Sequence, residues 1–449
     1  MNFKRKIYDK LLKWKNESNG KSAILVEGAR RVGKSTIVEE FARNEYDDYI
    51  LLDFAKETKD IKQNFEENIG DLTAFFRNLF IIKGKDLPER KAVIIFDEVQ
   101  LFPLARQAIK YLVADGRYDY IETGSLISIK KNVKDILIPS EEEKIKMYPM
   151  DFEEFLWAQG NTVTMSAIKD AFQQRKPLGD AVHRKIMKQF REYIAVGGMP
   201  QAVSEFVNGG SFAAIDRVKQ GILALYEEDL HKYDEEEKER ASLVFKTIPN
   251  QLSNHDMHFT FSEVNVNARY MNYVKSVEFI SDAMIGNLCT NVSMPDVLLE
   301  LYSDRSNFKL YMGDTGLLVS LMIREGNETE EIYRALVFDK LGSNLGMVFE
   351  NVVAQMFRTN GNDLFFHEYK YTPEDSEKEK KYEIDFLLVK KKKVCPVEVK
   401  SSGYSSHKSF DYFIKKYPIK IEDRYIIYTK DLKFEDGITY IPVYMAGLL

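Results

Sequence analysis

Residues GARRVGKS, Gly28 to Ser35, satisfy every fixed position of G-x-x-x-x-G-K-[ST], and they stand between an apolar run, Ala23 to Val26, and an amphipathic stretch beginning near Lys34. Strand, glycine loop and helix in that order bring backbone N–H groups and a helix N-terminus to one point, an arrangement that cradles phosphate oxygens. The same pattern constrains the fold, because such a loop joins a buried parallel strand to its crossover helix. Gly28 and Gly33 permit close backbone approach. Lys34 is placed to reach the β- and γ-phosphates of ATP, and Ser35 to ligate Mg2+. Ala29, Arg30, Arg31 and Val32 between them, and Thr36 just after, complete the expected lining of the nucleotide site.

From Ser22 to about Leu156 the order strand, turn, helix repeats: SAILVEG with STIVEEFARN, YILLDFA with a long amphipathic stretch, KAVIIFDEVQ with LARQAIKYLVADG, then YDYIETGS. Short apolar runs alternating with helical periodicity predict a parallel sheet. The strand KAVIIFD ends in two carboxylates with separate expected roles. Asp97 is suited to hold Mg2+ through water, and Glu98 to orient or deprotonate the water that attacks the γ-phosphate. The next strand end carries Thr123 and Ser125 at a carboxyl edge, where parallel sheets gather ligands, and Ser125 is the candidate γ-phosphate sensor. Lys34, Glu98 and Ser125 are thus the expected catalytic set. Arg106, Arg117, Arg269 and Arg305 are candidates for an arginine finger, and the sequence does not choose among them.

With 449 residues, several domains are expected, and 44% hydrophobic with 30% charged residues is a balance that can bury several cores. The boundaries predicted are 1–156 for the phosphate-loop core, 157–240 for a helical lid, 241–326 for a winged-helix-like segment and 327–449 for a further α/β domain. Arg269, Lys275, Arg305 and Lys309 are the candidate DNA-phosphate contacts of the third segment. A net charge of -6 argues against a uniformly basic nucleic-acid coat. Two cysteines, Cys289 and Cys395, offer no disulfide framework and fit a reducing cytoplasm. No stretch has the roughly 18 consecutive apolar residues of a membrane span. His255 and His258 in HDMH have no acidic residue at ligand spacing, so no zinc site is predicted there. Trp14 and Trp157 are expected in packing roles.

In YEIDFLLVKKKKVCPVEVK, a hairpin symmetric about Lys391 and Lys392 sets Asp385 opposite Glu398 and sends Glu398 and Lys400 to one face. Carboxylates and a lysine on a shared surface can hold Mg2+ and activate a nucleophile, and Glu350 on the preceding helix could add a further carboxylate. These four residues are a possible second site.

The phosphate loop, IIFDEVQ and TGS, followed by YPMDFEEFLWA, YIAVGGMPQAV, FKLYMGDTGLL and FENVVAQ, resemble a large prokaryotic family of AAA-type ATPases with a C-terminal domain of unknown function. The resemblance spans nearly the whole chain. It implies that Gly33, Lys34, Ser35, Asp97 and Glu98 form the nucleotide site and that Ser125 is the sensor. Many members carry a glycine-arginine pair just before the P-x-x-F-x-E-F motif; this chain has IPSEEEKIKMYPMDFEEF, without an arginine. The order Glu, Asp, Glu-x-Lys across the hairpin resembles the PD-(D/E)xK nuclease-like fold. The expectation is an ATP-binding and ATP-hydrolysing switch whose C-terminal part is directed to nucleic acid, with DNA or another protein as partner; the sequence does not fix the oligomeric state. The competing expectations are an ATP-gated interaction protein with a silent nuclease-like domain, and an active Mg2+-dependent DNA nuclease.

Overall fold

The computed structural model describes residues 2–124, 140–234, 239–254, 257–264, 269–323, 328–340, 346–374, 377–402, 407–417 and 423–449. The chain divides into two units, one reaching Pro149 and including Asp282–Met284, the other formed by Met150–Ser281 and Ile285–Leu449.

In the first unit, β1 (Ala23–Glu27), β2 (Asp48–Asp53), β3 (Ala92–Asp97), β4 (Asp119–Gly124) and β5 (Glu142–Lys146) form one sheet in the order β2-β3-β4-β1-β5. Every pairing is parallel, as the alternating pattern predicts. Both faces of β1 and β3 are buried, which is why they read as continuous apolar runs rather than as alternation. One face packs Leu25, Leu52, Ile94, Phe96 and Tyr120 against phenylalanines of the helices Lys59–Asn68 and Leu72–Lys83. Since β4 lies between β1 and β3, the phosphate loop and the pair Asp97–Glu98 flank the end of β4 at one carboxyl edge. Trp14 is buried, its Nε1 donating to Ser22 Oγ.

The second unit begins with helices, among them Phe152–Ala158, Thr164–Gln174, Asp180–Val196, Pro200–Val207 and Phe212–Asp234. The first carries a capping box: Asp151 accepts from the Glu154 backbone, and the Glu154 side chain accepts from the Asp151 backbone. The motifs GGMP and GDTG meet here. Asp314 accepts from Gly198 N at 2.7 Å, and a Cβ on Gly316 would stand 2.4 Å from the Gly197 Cα, so no larger residue fits.

Strands β6 (Gly286–Val292), β7 (Ser303–Met312), β8 (Leu364–Tyr371) and β9 (Lys380–Ile384) form a sheet in the order β7-β6-β8-β9. A second sheet joins β10 (Phe386–Lys390), β11 (Lys393–Val399), β12 (Tyr425–Tyr428), β13 (Lys433–Glu435) and β14 (Ile438–Pro442) in the order β10-β11-β12-β14-β13. The first of these sheets takes strands from both sides of residue 327. Strands β6 and β7, assigned to a wing within 241–326, pair through β6 with β8 from beyond residue 327. The division between the two units falls at 149/150. Among the described residues no helix is long and apolar enough to cross a membrane.

Candidate functional site

The loop after β1 reaches the helix Lys34–Glu45 through Gly33, at φ 97°. Arg31, at φ 70°, takes the left-handed conformation in mid-loop, a strain tolerated where successive N–H groups must turn inward. Gly28 has no room for a side chain: a Cβ would stand 2.3 Å from Met147 O, while Met147 N donates to Glu27 O at 2.7 Å. Strand β5 therefore braces the loop's first residue.

Lys34 is buried, 6% exposed, and its Nζ donates to Gly28 O and Ala29 O, both at 3.0 Å. Burial lowers its ammonium to about 8, against the opposing pull of Glu98 and Asp97. Ser35 Oγ donates to Asp97 Oδ1 at 2.8 Å, and Thr123 Oγ1 donates to the same oxygen. Thr123 Oγ1 also accepts from Glu98 N at 3.3 Å. Glu98 stands at φ 54°, its Oε2 accepting from Gln100 Nε2. Lys34, Ser35, Asp97, Glu98 and Thr123 are thus brought together, with Ala29 and Val32 buried behind the loop and Arg31 and Thr36 exposed. Ser125 lies outside the described residues.

Arg5 belongs to this site and sequence reasoning missed it. Its Nη1 donates to Val32 O at 2.9 Å and its Nη2 to Tyr148 O at 2.7 Å. A donor on the Val32 carbonyl polarises the Val32–Gly33 peptide and makes the Gly33 N–H a stronger donor toward an anion. The basic N-terminal stretch carried no local signal of that contact.

Two arginine-finger candidates are corrected. Arg106, 2% exposed, makes a bidentate pair with Glu142, Nε to Oε2 at 2.8 Å and Nη2 to Oε1 at 2.7 Å. Beside it Glu122 is fully buried, and burial, followed by the neighbouring Glu142, pushes its carboxyl well up. Arg117 is paired bidentately with Asp115 and lies over the Phe76 ring, at the amino end of β4, the edge away from Lys34. Arg305 is an exposed partner of Glu300, and Arg269 is exposed; both lie in the second unit.

In that unit the predicted hairpin register holds. Phe386 pairs with Val397 and Lys390 with Lys393, around a turn in which Lys391 and Lys392 have φ 46° and 62°. Glu350, Asp385, Glu398 and Lys400 come together. Burial, then Glu398 and Glu350, hold the Asp385 carboxyl well above its usual range, and Asp385 Oδ2 accepts from Val399 N. Glu398 Oε1 pairs with Lys400 at 2.8 Å, while its buried Oε2 has no hydrogen-bond partner among the described residues.

Lys309, expected as a DNA-phosphate contact, is instead buried in this cluster. Its Nζ donates to Glu350 Oε1 at 3.0 Å and to Glu383 Oε1 at 2.6 Å. His258 is corrected too: its Nε2 lies 2.6 Å from Glu383 Oε2 and 3.4 Å from Glu368 Oε1, acidic neighbours supplied by strands far along the chain. Lys275 is exposed on the helix Tyr270–Asp282, and His255 lies outside the described residues.

Residues 20–156 match the family model of an AAA domain, and residues 187–329 and 345–446 match two domains of unknown function, DUF8612 and DUF4143. No curated protein matches the chain. Among solved structures, the Walker-type ATPase of Pyrococcus abyssi is 14% identical, with a TM-score of 0.43 over 72% of this chain and 96% of that one. The Aeropyrum pernix ORC1 protein, solved in complex with DNA, is 12% identical, with a TM-score of 0.24 over 72% of this chain and 92% of that one. A Vibrio cholerae protein is 9% identical, with a TM-score of 0.20 over 95% of each chain. The AAA-domain match over residues 20–156, together with the five-stranded parallel sheet and the phosphate-loop geometry, supports reading the N-terminal part of the chain as an AAA-type ATPase.

Proposed function

We propose that the first unit binds and hydrolyses ATP and that the second carries the output, directed to nucleic acid. The observation behind this reading is the convergence of Lys34, Ser35, Asp97, Glu98 and Thr123 at one sheet edge. A hydroxyl and a carboxylate 2.8 Å apart make a donor set of the hard-oxygen kind that suits Mg2+. Ser35 and Asp97 would hold that ion, which supplies charge neutralisation across the phosphates. Loop N–H groups and the Lys34 ammonium bind the β- and γ-phosphates, Thr123 fixes the Asp97 carboxylate, and Glu98 orients the attacking water and takes its proton.

The pH dependence of binding tests the role of Lys34. In the free protein its ammonium titrates at about 8, and phosphate oxygens favour the charged form. Binding above that pH therefore takes up a proton, and ATP affinity is expected to fall by up to about tenfold per pH unit from roughly pH 8 upward. A flat affinity between pH 7.5 and 9.5, measured by equilibrium titration with labelled ATP, would count against contact between Lys34 and the phosphates.

A second reading concerns the C-terminal cluster: a nuclease-like arrangement that binds without cutting. It is favoured by Lys309, whose buried ammonium already occupies Glu350 and Glu383. Incubation with Mg2+ and either branched or linear DNA is expected to leave both intact. Cleavage that disappears in Asp385→Ala would overturn this reading in favour of an active nuclease.

A further inference from the structure

Strands β8 and β9 pair with Glu368 directly opposite Glu383, so two like charges share one face of an antiparallel ladder. Such a pair is destabilising unless a cation stands between the carboxylates. The chain brings His258 to that position. Phe259 N donates to Phe308 O at 2.9 Å, fixing the segment beside β7, and the imidazole packs edge-on against Phe366 with centroids 5.0 Å apart. One ligand atom from each of His258, Glu368 and Glu383 lies within 4.8 Å of the others.

The outer oxygens are held separately. Lys309 Nζ occupies Glu383 Oε1 at 2.6 Å, and Asn307 Nδ2 occupies Glu368 Oε2 at 2.7 Å. This leaves Glu383 Oε2 and Glu368 Oε1 facing His258 Nε2, at 2.6 and 3.4 Å. Carboxylates that ligate metals are characteristically held in this way through the oxygen not bound to the ion. Lys381 pairs with Glu368 Oε1, the inward-facing oxygen, but its side chain is 59% exposed and free to swing into solvent.

We propose that His258, Glu368 and Glu383 form a binding site for a divalent transition-metal ion. One imidazole nitrogen and two carboxylate oxygens match the ligand preference of zinc. The three side chains are 13 to 21% exposed, so a position remains open to water. Lys309, which donates to both Glu383 and Glu350, joins the site to the grouping of Glu350, Asp385, Glu398 and Lys400, and none of the three ligands belongs to the nucleotide site.

Calorimetric titration of the full chain with zinc chloride, without nucleotide, tests the proposal. One zinc per chain is expected, with affinity weakened by at least about tenfold in His258→Ala and in Glu368→Gln. Lys381→Ala is expected to tighten binding by about two- to fivefold, because that exposed ammonium competes for Glu368. A merely structural ion-pair network predicts no such gain. Thermal unfolding of each variant confirms that it is folded, and Glu368→Gln, an isosteric change, serves if His258→Ala is not. No saturable zinc binding, wild-type affinity in the ligand variants, or weaker binding in Lys381→Ala would each overturn it.

Discussion

Replacing Glu98 by glutamine is expected to lower ATP hydrolysis by about 10² to 10⁴-fold while leaving ATP affinity within a few-fold of wild type. That range corresponds to roughly 3 to 5.5 kcal/mol of barrier. Glutamine preserves the size of the side chain and can still be held by Gln100, so the backbone at φ 54° has no new reason to move. What is removed is the capacity to take the proton of the attacking water. Affinity is spared because the phosphates are held by the loop and Lys34. Turnover at the wild-type rate in Glu98→Gln would show that another group activates the water.

The second large effect is on stability. Lys309→Met is expected to destabilise the C-terminal unit by about 3 to 5 kcal/mol at neutral pH, toward the lower value because Glu383 is partly open to solvent. The substitution keeps the length of the side chain but removes the ammonium that Glu350 and Glu383 share, leaving Glu383 with His258 alone. Burial alone would raise the Glu383 carboxyl; Lys309 and His258 override it and hold it below its ordinary value. A depressed carboxyl contributes stability above its unfolded value and loses that contribution as the pH falls through the folded one. The gap between wild type and Lys309→Met should therefore narrow as the pH drops below about 4.5. Thermal unfolding across that range checks it, and equal melting temperatures at pH 7.5 would contradict the charge account of the cluster.

What could be read in advance follows from how local each signal is. The phosphate loop was legible because each position answers a separate local demand: a close approach at Gly28, a left-handed turn at Gly33, an ammonium at Lys34 and a hydroxyl at Ser35. The hairpin register was legible because Lys391 and Lys392 sit at the centre of a symmetric run of apolar and charged residues. Strand β5 was not. Its sequence, EEKIK, carries no apolar run, and Glu142 makes sense only once Arg106 from another element closes on it. Lys309 and His258 failed for the same reason. Their carboxylate partners lie 41, 74 and 125 residues away, and a window of neighbouring sequence holds no trace of such pairings. The pairing of β6 with β8, from either side of residue 327, is likewise a non-local fact.

The central claim is that the loop from Gly28 to Ser35 holds a nucleoside triphosphate through Lys34 and supports its hydrolysis. Phosphate release from ATP with Mg2+, measured side by side for the wild-type chain and Lys34→Ala, tests it most directly. Measurable turnover in the wild type and none above background in a folded Lys34→Ala protein is the predicted result; equal turnover in the two would contradict the account.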